Sequence, residues 1–342
     1  MKTLFKRLLS AAIWIYITAL FAWLAFYLLS GDQIGLVSLV NILAVYLFLP
    51  LPVVLLANLY LRQPAIWIAA GIGLVAFIGL WGGVFLPQPQ RALAYPTRGE
   101  TLTVLTFNVL GRQSFTAPQI ETIRQENADI VLLQELNHEL AAAIQAELAE
   151  QYPYQILDAH DDVEGMGVIS KYPIRPSGET LALEWVGVPQ VLTLDWNGRA
   201  ATLVNFHMLP TTLSTIEQVS THNRNREQQA HLLVELARRS PPVILGGDAN
   251  ATPLSDTHAV LTRELTDAWL EAGFGMGHTF PGSSVPGTSR PDIGGVPVPK
   301  WLARIDYIFH SPDWRTISAK NAHFDGVSDH RGVLAVLKWV GE

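Results

Sequence analysis

The apolar runs of this chain are long at the start and short afterwards. Between Arg7 and Asp32 lie 24 residues without a charge, between Asp32 and Arg62 lie 29, and between Arg62 and Arg91 lie 28. A helix needs roughly 20 apolar residues to cross the hydrocarbon core of a bilayer. The pattern therefore predicts three membrane spans, at about 8–29, 36–56 and 66–85. Trp14, Trp23, Trp67 and Trp81 fall toward the ends of these spans, where indole favours the interface. From residue 101 onward the runs shorten to the lengths of strands and amphipathic helices. Strands are predicted over 102–109, 130–133, 168–170, 180–183, 191–196, 201–206, 243–245, 305–310 and 332–339, and helices over 118–127, 139–150 and 224–239. Helices and strands mix without strict alternation, which predicts an α/β sandwich of mixed sheets rather than a barrel or a doubly wound sheet.

Pro87-Gln88-Pro89-Gln90 through Pro96-Thr97-Arg98-Gly99 reads as a semi-extended linker. The expected organisation is a membrane region over 1–87, a linker over 88–100 and one domain over 101–342. Charge sharpens the division. Lys2, Lys6, Arg7, Asp32 and Arg62 are the only charged residues before Arg91, so the front is +3 and the remainder −10 in a chain of net −7. A purely soluble protein is excluded on this reading. The absence of cysteine excludes a disulfide-stapled module and a thiolate zinc site. The acidic domain argues against non-specific nucleic-acid binding, which rests on Lys and Arg at phosphates. Lys2, Lys6 and Arg7 precede the first span, the first loop holds only Asp32, and Arg62 marks the second loop. The positive-inside rule thus places the N-terminus in the cytoplasm and the C-terminal domain outside it.

Within that domain, acidic or amide residues recur where apolar strands end. Asn108 closes Leu-Thr-Phe-Asn, Glu135 follows Ile-Val-Leu-Leu-Gln, Asp248 and Asn250 follow Val-Ile-Leu-Gly-Gly, Asp306 lies in Arg-Ile-Asp-Tyr-Ile-Phe, and Asp329-His330 precede the last strand. Converging buried carboxylates are tolerable with a cation or with extensive hydrogen bonding between them. Hard oxygen ligands suit Mg²⁺ or Mn²⁺, and a metal beside a His/Asp pair is equipped for phosphoester hydrolysis. Each residue also has an ordinary structural reading: Asn108 tying a turn, Glu135 capping the helix near Asn137, Asp248 and Asn250 forming an Asx turn, His207 as a core histidine, Asp329 and His330 as a surface pair. On the helix near residue 230, Gln229, Leu232, Leu233 and Leu236 share a face that Arg226 continues, so an Arg and a Gln point inward, either toward a site or in a polar network beneath the sheet.

The ordered series Thr-Phe-Asn108, Leu-Gln-Glu135, Asn-Phe-His207, Gly-Gly-Asp248-Ala-Asn250, Arg-Ile-Asp306-Tyr-Ile-Phe and Ser-Asp329-His330 resembles the endonuclease/exonuclease/phosphatase superfamily, which includes deoxyribonuclease I and the neutral sphingomyelinases. Gly-Val-Ile-Ser-Lys-Tyr-Pro-Ile over 167–174, and Arg226 with Gln229, look like family features too. The resemblance covers about residues 100–340 and implies a four-layer α/β sandwich of two packed sheets with the site at one rim. It implies that Glu135 holds the divalent metal, with Asn108 and Asp329 beside it. Asp248 would then orient or deprotonate water, and Asn250 would donate to a phosphoryl oxygen. His330, aligned by Asp306, would stabilise charge on the phosphate, and His207 would bind the scissile phosphate or help protonate the leaving group. Arg226 and Gln229 are candidate substrate contacts.

The expected protein is a membrane-anchored, Mg²⁺-dependent phosphoesterase, integral to a bacterial plasma membrane, with its catalytic domain outside the cytoplasm. Its partners would be the bilayer, through three spans, and a phosphoester substrate: a phospholipid headgroup, sphingolipid phosphate or small phosphoester. An extracytoplasmic deoxyribonuclease-like nuclease is the alternative. A catalytically dead, membrane-tethered binding module is the reading from another class, and the presence of every central residue speaks against it. Transport through the spans lacks a charged carrier within any core. Residues 274–299, with six glycines and five prolines, form a long loop before Asp306, either shaping the cleft or inert.

Overall fold

A computed structural model describes residues 1–85, 100–112, 114–211, 215–283, 290, 292–293 and 295–341. Four helices come first: α1 (Lys2–Ser30), α2 (Gly35–Ile42), α3 (Leu51–Leu61) and α4 (Pro64–Phe85), with a 3₁₀ turn at Ala44–Phe48. Three helical stretches are long and apolar enough to cross a membrane: Lys2–Ser30, Ala44–Leu61 and Pro64–Phe85. The single helix expected over 36–56 does not form. The chain leaves helical geometry at Leu43 (φ −111°, ψ 13°), and Pro50, which has no N–H to offer an unbroken helix, caps α3 instead. Polar residues inside the expected span are engaged: Trp23 Nε1 donates to Asn41 Oδ1 (2.9 Å), and Asn41 Nδ2 donates to the Gly31 carbonyl (3.2 Å). Trp23 and Trp81 are buried against Phe48, while Trp14 and Trp67 are exposed, so only the latter pair stands at the bundle surface. The linker expected over 88–100 lies, but for Glu100, outside the described residues.

The C-terminal part is built from two six-stranded mixed sheets. The first has the order β13 (Trp314–Asn321), β14 (Val333–Trp339), β1 (Thr101–Asn108), β2 (Ile130–Gln134), β4 (Met166–Ser170), β3 (Tyr154–Asp158). The second runs β5 (Ile174–Pro176), β6 (Gly187–Trp196), β7 (Arg199–His207), β8 (Val243–Asp248), β12 (Asp306–His310), β9 (Thr266–Asp267). Each sheet has one parallel pair, β1 with β2 and β7 with β8, joined by a crossover helix: α5 (Ala117–Glu126) and α7 (Ile216–Arg239), respectively. A crossover returns the chain to the same end of the sheet, so the C-terminal ends of each parallel pair lie together. Helix α6 (His138–Glu147) follows β2, while α8 (Asp256–Leu261) and α9 (Ala268–Ala272) follow β8. A two-residue hairpin, β10 (Asp292–Ile293) with β11 (Val296–Pro297), completes the list.

Three apolar layers hold the sandwich together. Between the sheets lie Leu102, Val104, Ile130, Leu132, Leu203, Ile244 and Ile308. Leu105, Phe107, Val131 and Leu133 face the other way, onto α5 and α6 through Ile120, Ile123 and Ile144. Val204, Phe206, Leu245 and Tyr307 likewise pack on α7 through Leu233 and Leu236. The alternation is the pleat itself, since successive side chains point to opposite faces. Its parity has a direct consequence. Carried to the strand ends, it puts Asn108, His207, Asp248 and Asp306 on the face between the sheets. That is where an apolar core gives way to polar chemistry.

Several sequence expectations change here. Residues 180–183 form no strand. Helix α7 begins at Ile216, two turns earlier than expected, because Thr215 caps it by accepting from the Gln218 N–H (3.2 Å), and its polar first turns pack on α2. Strands β3, β5, β9 and β13 were not anticipated. All are sheet edges, half exposed or only two or three residues long, so the apolar signal in them is weak.

Candidate active site

The site is assembled at one rim, where the C-terminal ends of β1, β2, β7 and β8 meet the start of β12. Asp248 and Asp306 pair directly across the antiparallel β8–β12 ladder, and His207 is in register with Asp248 across the parallel β7–β8 pair. A Cβ on Gly247 would sit on the Phe206 carbonyl, so the strand approaches β7 this closely only because the residue before Asp248 is glycine. Glu135 follows β2 in the left-handed region (φ 58°) and Asn250 does the same after β8 (φ 49°). Non-glycine residues held there cost about 1–3 kcal/mol and cluster at functional sites.

Asp248 is the hub. Its Oδ2 accepts from Asn108 Nδ2 (3.2 Å) and lies 3.5 Å from His207 Nε2 and 3.7 Å from His330 Nε2. Its Oδ1 accepts from the Asn250 N–H (2.8 Å). Asn108 Nδ2 also donates to Glu135 Oε1 (3.1 Å), so one amide links the two carboxylates across the sandwich. His330 Nδ1 donates to Asp306 Oδ2 (2.9 Å), and its Nε2 stands 3.9 Å from Asp329 Oδ1. All of these side chains except Asn250 are buried.

Burial sets the electrostatics. Desolvation, then the nearby charge of Asp329, pushes Glu135 up to about 7. Desolvation and Asp306 push Asp248 up to about 8, against the opposing pull of His330. Asp329 is raised as well, chiefly by burial. For His330, burial works against the charged ring, yet Asp306, Asp248 and Asp329 overcome it and hold its pKa well above the ordinary value. His207 goes the other way: burial, then the charge on His330, lowers it to about 3, so its ring is neutral at physiological pH. The two histidines of one site thus carry opposite protonation states.

The donor set fits a divalent cation. Glu135 Oε2 and Asp306 Oδ1 are buried without a hydrogen-bond partner, and Glu135, Asp248, Asp306 and Asp329 share His330 as cationic neighbour. The Asp248 and Asp306 carboxylates and the His330 ring converge within 4.8 Å, all three residues buried, and with the ring charged the oxygens are the atoms offered to a metal. Glu135, Asn108 and Asp329 lie at the same rim, where Asn108 offers its amide nitrogen to the carboxylates while its Oδ1 accepts from the Leu110 N–H (3.1 Å).

Arg226 and Gln229 stand back from this cluster. Gln229 is 0% exposed, donates to the Glu184 carbonyl (2.6 Å) and accepts from the Leu209 N–H (3.4 Å). Arg226 donates to the Leu209 carbonyl (3.0 Å) and to Asn223 Oδ1, and burial lowers its pKa to about 10. Both brace the segment after His207. Three further residues support the site. Ser328 Oγ donates to the Asn108 carbonyl (2.8 Å) and accepts from the His330 N–H (3.0 Å). Thr279 Oγ1 accepts from the Ile305 N–H (3.2 Å), and Phe280 packs on the His330 ring at 5.0 Å between centroids. The start of the 274–299 loop therefore lies against the site. Its Thr-Phe pair, polar then aromatic within a glycine-rich stretch, was the available signal.

The chain belongs to the Endonuclease/Exonuclease/phosphatase family, whose sequence model matches residues 105–330. Among solved structures it is similar to an endonuclease/exonuclease/phosphatase from Bacteroides vulgatus, at 20% identity, TM-score 0.51, covering 70% of this chain and 99% of the other. TDP2 from C. elegans matches at 18% identity and TM-score 0.52, over 72% of this chain and 78% of that one. D. rerio TDP2 complexed with single strand DNA product matches at 17% identity and TM-score 0.50, over 70% and 99%. These likenesses establish the shared fold. No curated protein sequence matches the chain.

Proposed function

We propose that the protein is a membrane-anchored, divalent-metal-dependent phosphoesterase. The observation that carries this reading is the convergence of Asn108, Glu135, His207, Asp248, Asp306, Asp329 and His330 on one buried rim, with His330 and Asp306 bonded as a pair. Glu135, with Asp329 and Asn108 beside it, would hold Mg²⁺ or Mn²⁺. Such an ion supplies charge stabilisation at a phosphoryl oxygen and lowers the pKa of water. Beside it, Asp248 orients and deprotonates the attacking water, and Asn250 donates to a phosphoryl oxygen. His330, kept charged by Asp306, stabilises the negative charge that grows on the phosphoryl group. Neutral His207 suits binding of the scissile phosphate through an N–H rather than protonation of the leaving group, since it holds no spare proton at physiological pH. Arg226 and Gln229 act as positioning residues for the segment carrying His207.

The spans support an integral membrane protein. Lys2, Lys6 and Arg7 gather with Arg62 at one end of the bundle, where Lys6 Nζ lies 4.6 Å from the Tyr60 ring, while the catalytic domain meets the other end through Gln33, Tyr46 and Val84. That polarity supports a cytoplasmic N-terminus and an extracytoplasmic site. The substrate is a lipid-linked or small phosphoester. A nuclease is the second reading, favoured by the likeness to D. rerio TDP2, solved with a single strand DNA product. Full-length protein in detergent, supplied with Mg²⁺ and tested on plasmid DNA, sphingomyelin, phosphatidylinositol and a bis-aryl phosphodiester, separates the two. Cleavage of DNA alone overturns the lipid or small-ester preference.

A further inference from the structure

Helix α2 does more than connect spans. It lies on the first turns of α7, where Asn223 Nδ2 donates to the Asp32 carbonyl (2.6 Å) and to Ser38 Oγ (2.8 Å). Gln33 Nε2 donates to Asp256 Oδ2 (2.7 Å) and Glu227 Oε2 (3.0 Å), while Tyr46 reaches the Leu302 carbonyl (3.3 Å). On its bundle side Asn41 accepts from Trp23. The helix is therefore fixed to both parts of the chain. Between it and the catalytic rim is a cavity of about 440 Å³.

The cavity is walled by both parts of the chain. Leu39, Ile42 and Leu43 line it from the membrane region, beside the polar Asp32, Ser38 and Asn41. From the catalytic domain come Leu302 and Ile305, together with Asn250, whose N–H bonds Asp248, and Phe280, which packs on His330. Among the described lining residues Arg226 is the one basic group, and its two Nη atoms are bonded to Leu209 and Asn223. A nucleic-acid strand needs a positively charged groove and stacking platforms. This cavity has the volume and the largely apolar lining of a small-molecule site, with a few polar groups contributed by both parts of the chain.

We propose that this cavity receives the apolar part of an amphipathic phosphoester drawn from the bilayer, making the membrane segment a wall of the active site. The proposal rests on reading the rim as a phosphoester-hydrolysing site. The phosphoryl group lies at Asp248 and His330, the chain of the molecule runs past Asn250 and Phe280, and its apolar portion lies against Leu39, Ile42 and Leu302. Leu43, half exposed, stands at the mouth.

The test uses the full chain in nanodiscs and compares binding of dodecyl phosphate, methyl phosphate and a single-stranded oligonucleotide. Leu39→Trp fills the cavity, and Leu43→Arg charges its mouth at a position exposed enough to leave folding intact. Leu36→Trp, on the exposed face of the same helix, is the control. Dodecyl phosphate binds at least a hundredfold more tightly than methyl phosphate, and both cavity variants reduce that ratio at least tenfold while Leu36→Trp leaves it. A ratio unchanged in both cavity variants reveals plain bilayer partitioning and overturns the proposal, as does equal loss in all three variants, a wild type without tail preference or one that prefers the oligonucleotide. Turnover of methyl p-nitrophenyl phosphate by the same preparations is scored separately. Its absence alongside an intact tail preference contradicts the hydrolytic reading and leaves the cavity assignment standing.

Discussion

Asp306 accepts a 2.9 Å hydrogen bond from His330 Nδ1 while standing directly across the β8–β12 ladder from Asp248, so the strand pairing that positions the hub carboxylate also positions the partner of the charged histidine. Asp306 is the first of the groups that hold the His330 pKa up against burial. In Asp306→Asn that support is gone and only Asp248 and Asp329 still oppose burial, so the ring loses its proton at lower pH. The alkaline limb of the pH–rate profile then moves to lower pH, and the rate at neutral pH falls by roughly 10²–10³, the cost of a lost charge-stabilising donor. NMR titration of the His330 ring in the two proteins checks the cause. An unchanged ring pKa contradicts the account.

The raised carboxylates give a stability prediction with a definite sign. Glu135 and Asp248 titrate near 7 and 8 in the folded protein and near 4 when unfolded, so between those values the folded state binds more protons. Their stabilising contribution is complete below the unfolded pKa and is lost as pH rises through the folded one. With a chelator present, the protein in detergent should therefore unfold at lower temperature at pH 8 than at pH 5. Mg²⁺ should restore more at pH 8 than at pH 5, and Glu135→Gln should diminish both effects. His207, lowered to about 3, acts in the opposite sense over part of this range, so the difference between proteins decides: a Glu135→Gln protein that loses as much stability as wild type from pH 5 to pH 8 would contradict the Glu135 shift.

Gly247 tests how the hub is positioned. An alanine methyl meets the Phe206 carbonyl, which is backbone and cannot swing aside, so β7 and β8 must separate next to His207 and Asp248. Gly247→Ala is expected to cost about 1–3 kcal/mol, as overpacking does, and to lower activity beyond what the stability loss explains. A chemical or thermal unfolding curve within about 0.5 kcal/mol of wild type would show that the strands have room there.

Much of this site was legible in the sequence because strand ends and their polar residues are local signals. Asn108, Glu135, Asp248, Asp306 and His330 each adjoin an apolar run, and pleat parity then places Asn108, His207, Asp248 and Asp306 on one face. What the sequence could not show depends on contacts distant along the chain. The break after Ile42 becomes intelligible only when Asn41 meets Trp23 and Ser38 meets Asn223. Helix α7 gains its first two turns by docking on α2, and the edge strands form because a neighbour offers a ladder, with little burial of their own. Gln229 points inward, as its helical spacing foretold, yet its amide is satisfied by the backbone of Glu184 and Leu209. Periodicity gives the direction of a side chain and not what it meets.

The most direct test of the central claim is kcat/KM for a bis-aryl phosphodiester, measured on the full-length protein with Mg²⁺ and with chelator, beside Asp248→Ala and His330→Ala. Turnover is expected to require the divalent ion and to fall at least a hundredfold in each variant whose fold is intact by circular dichroism. Turnover that survives chelation, or that persists in both variants, would contradict it.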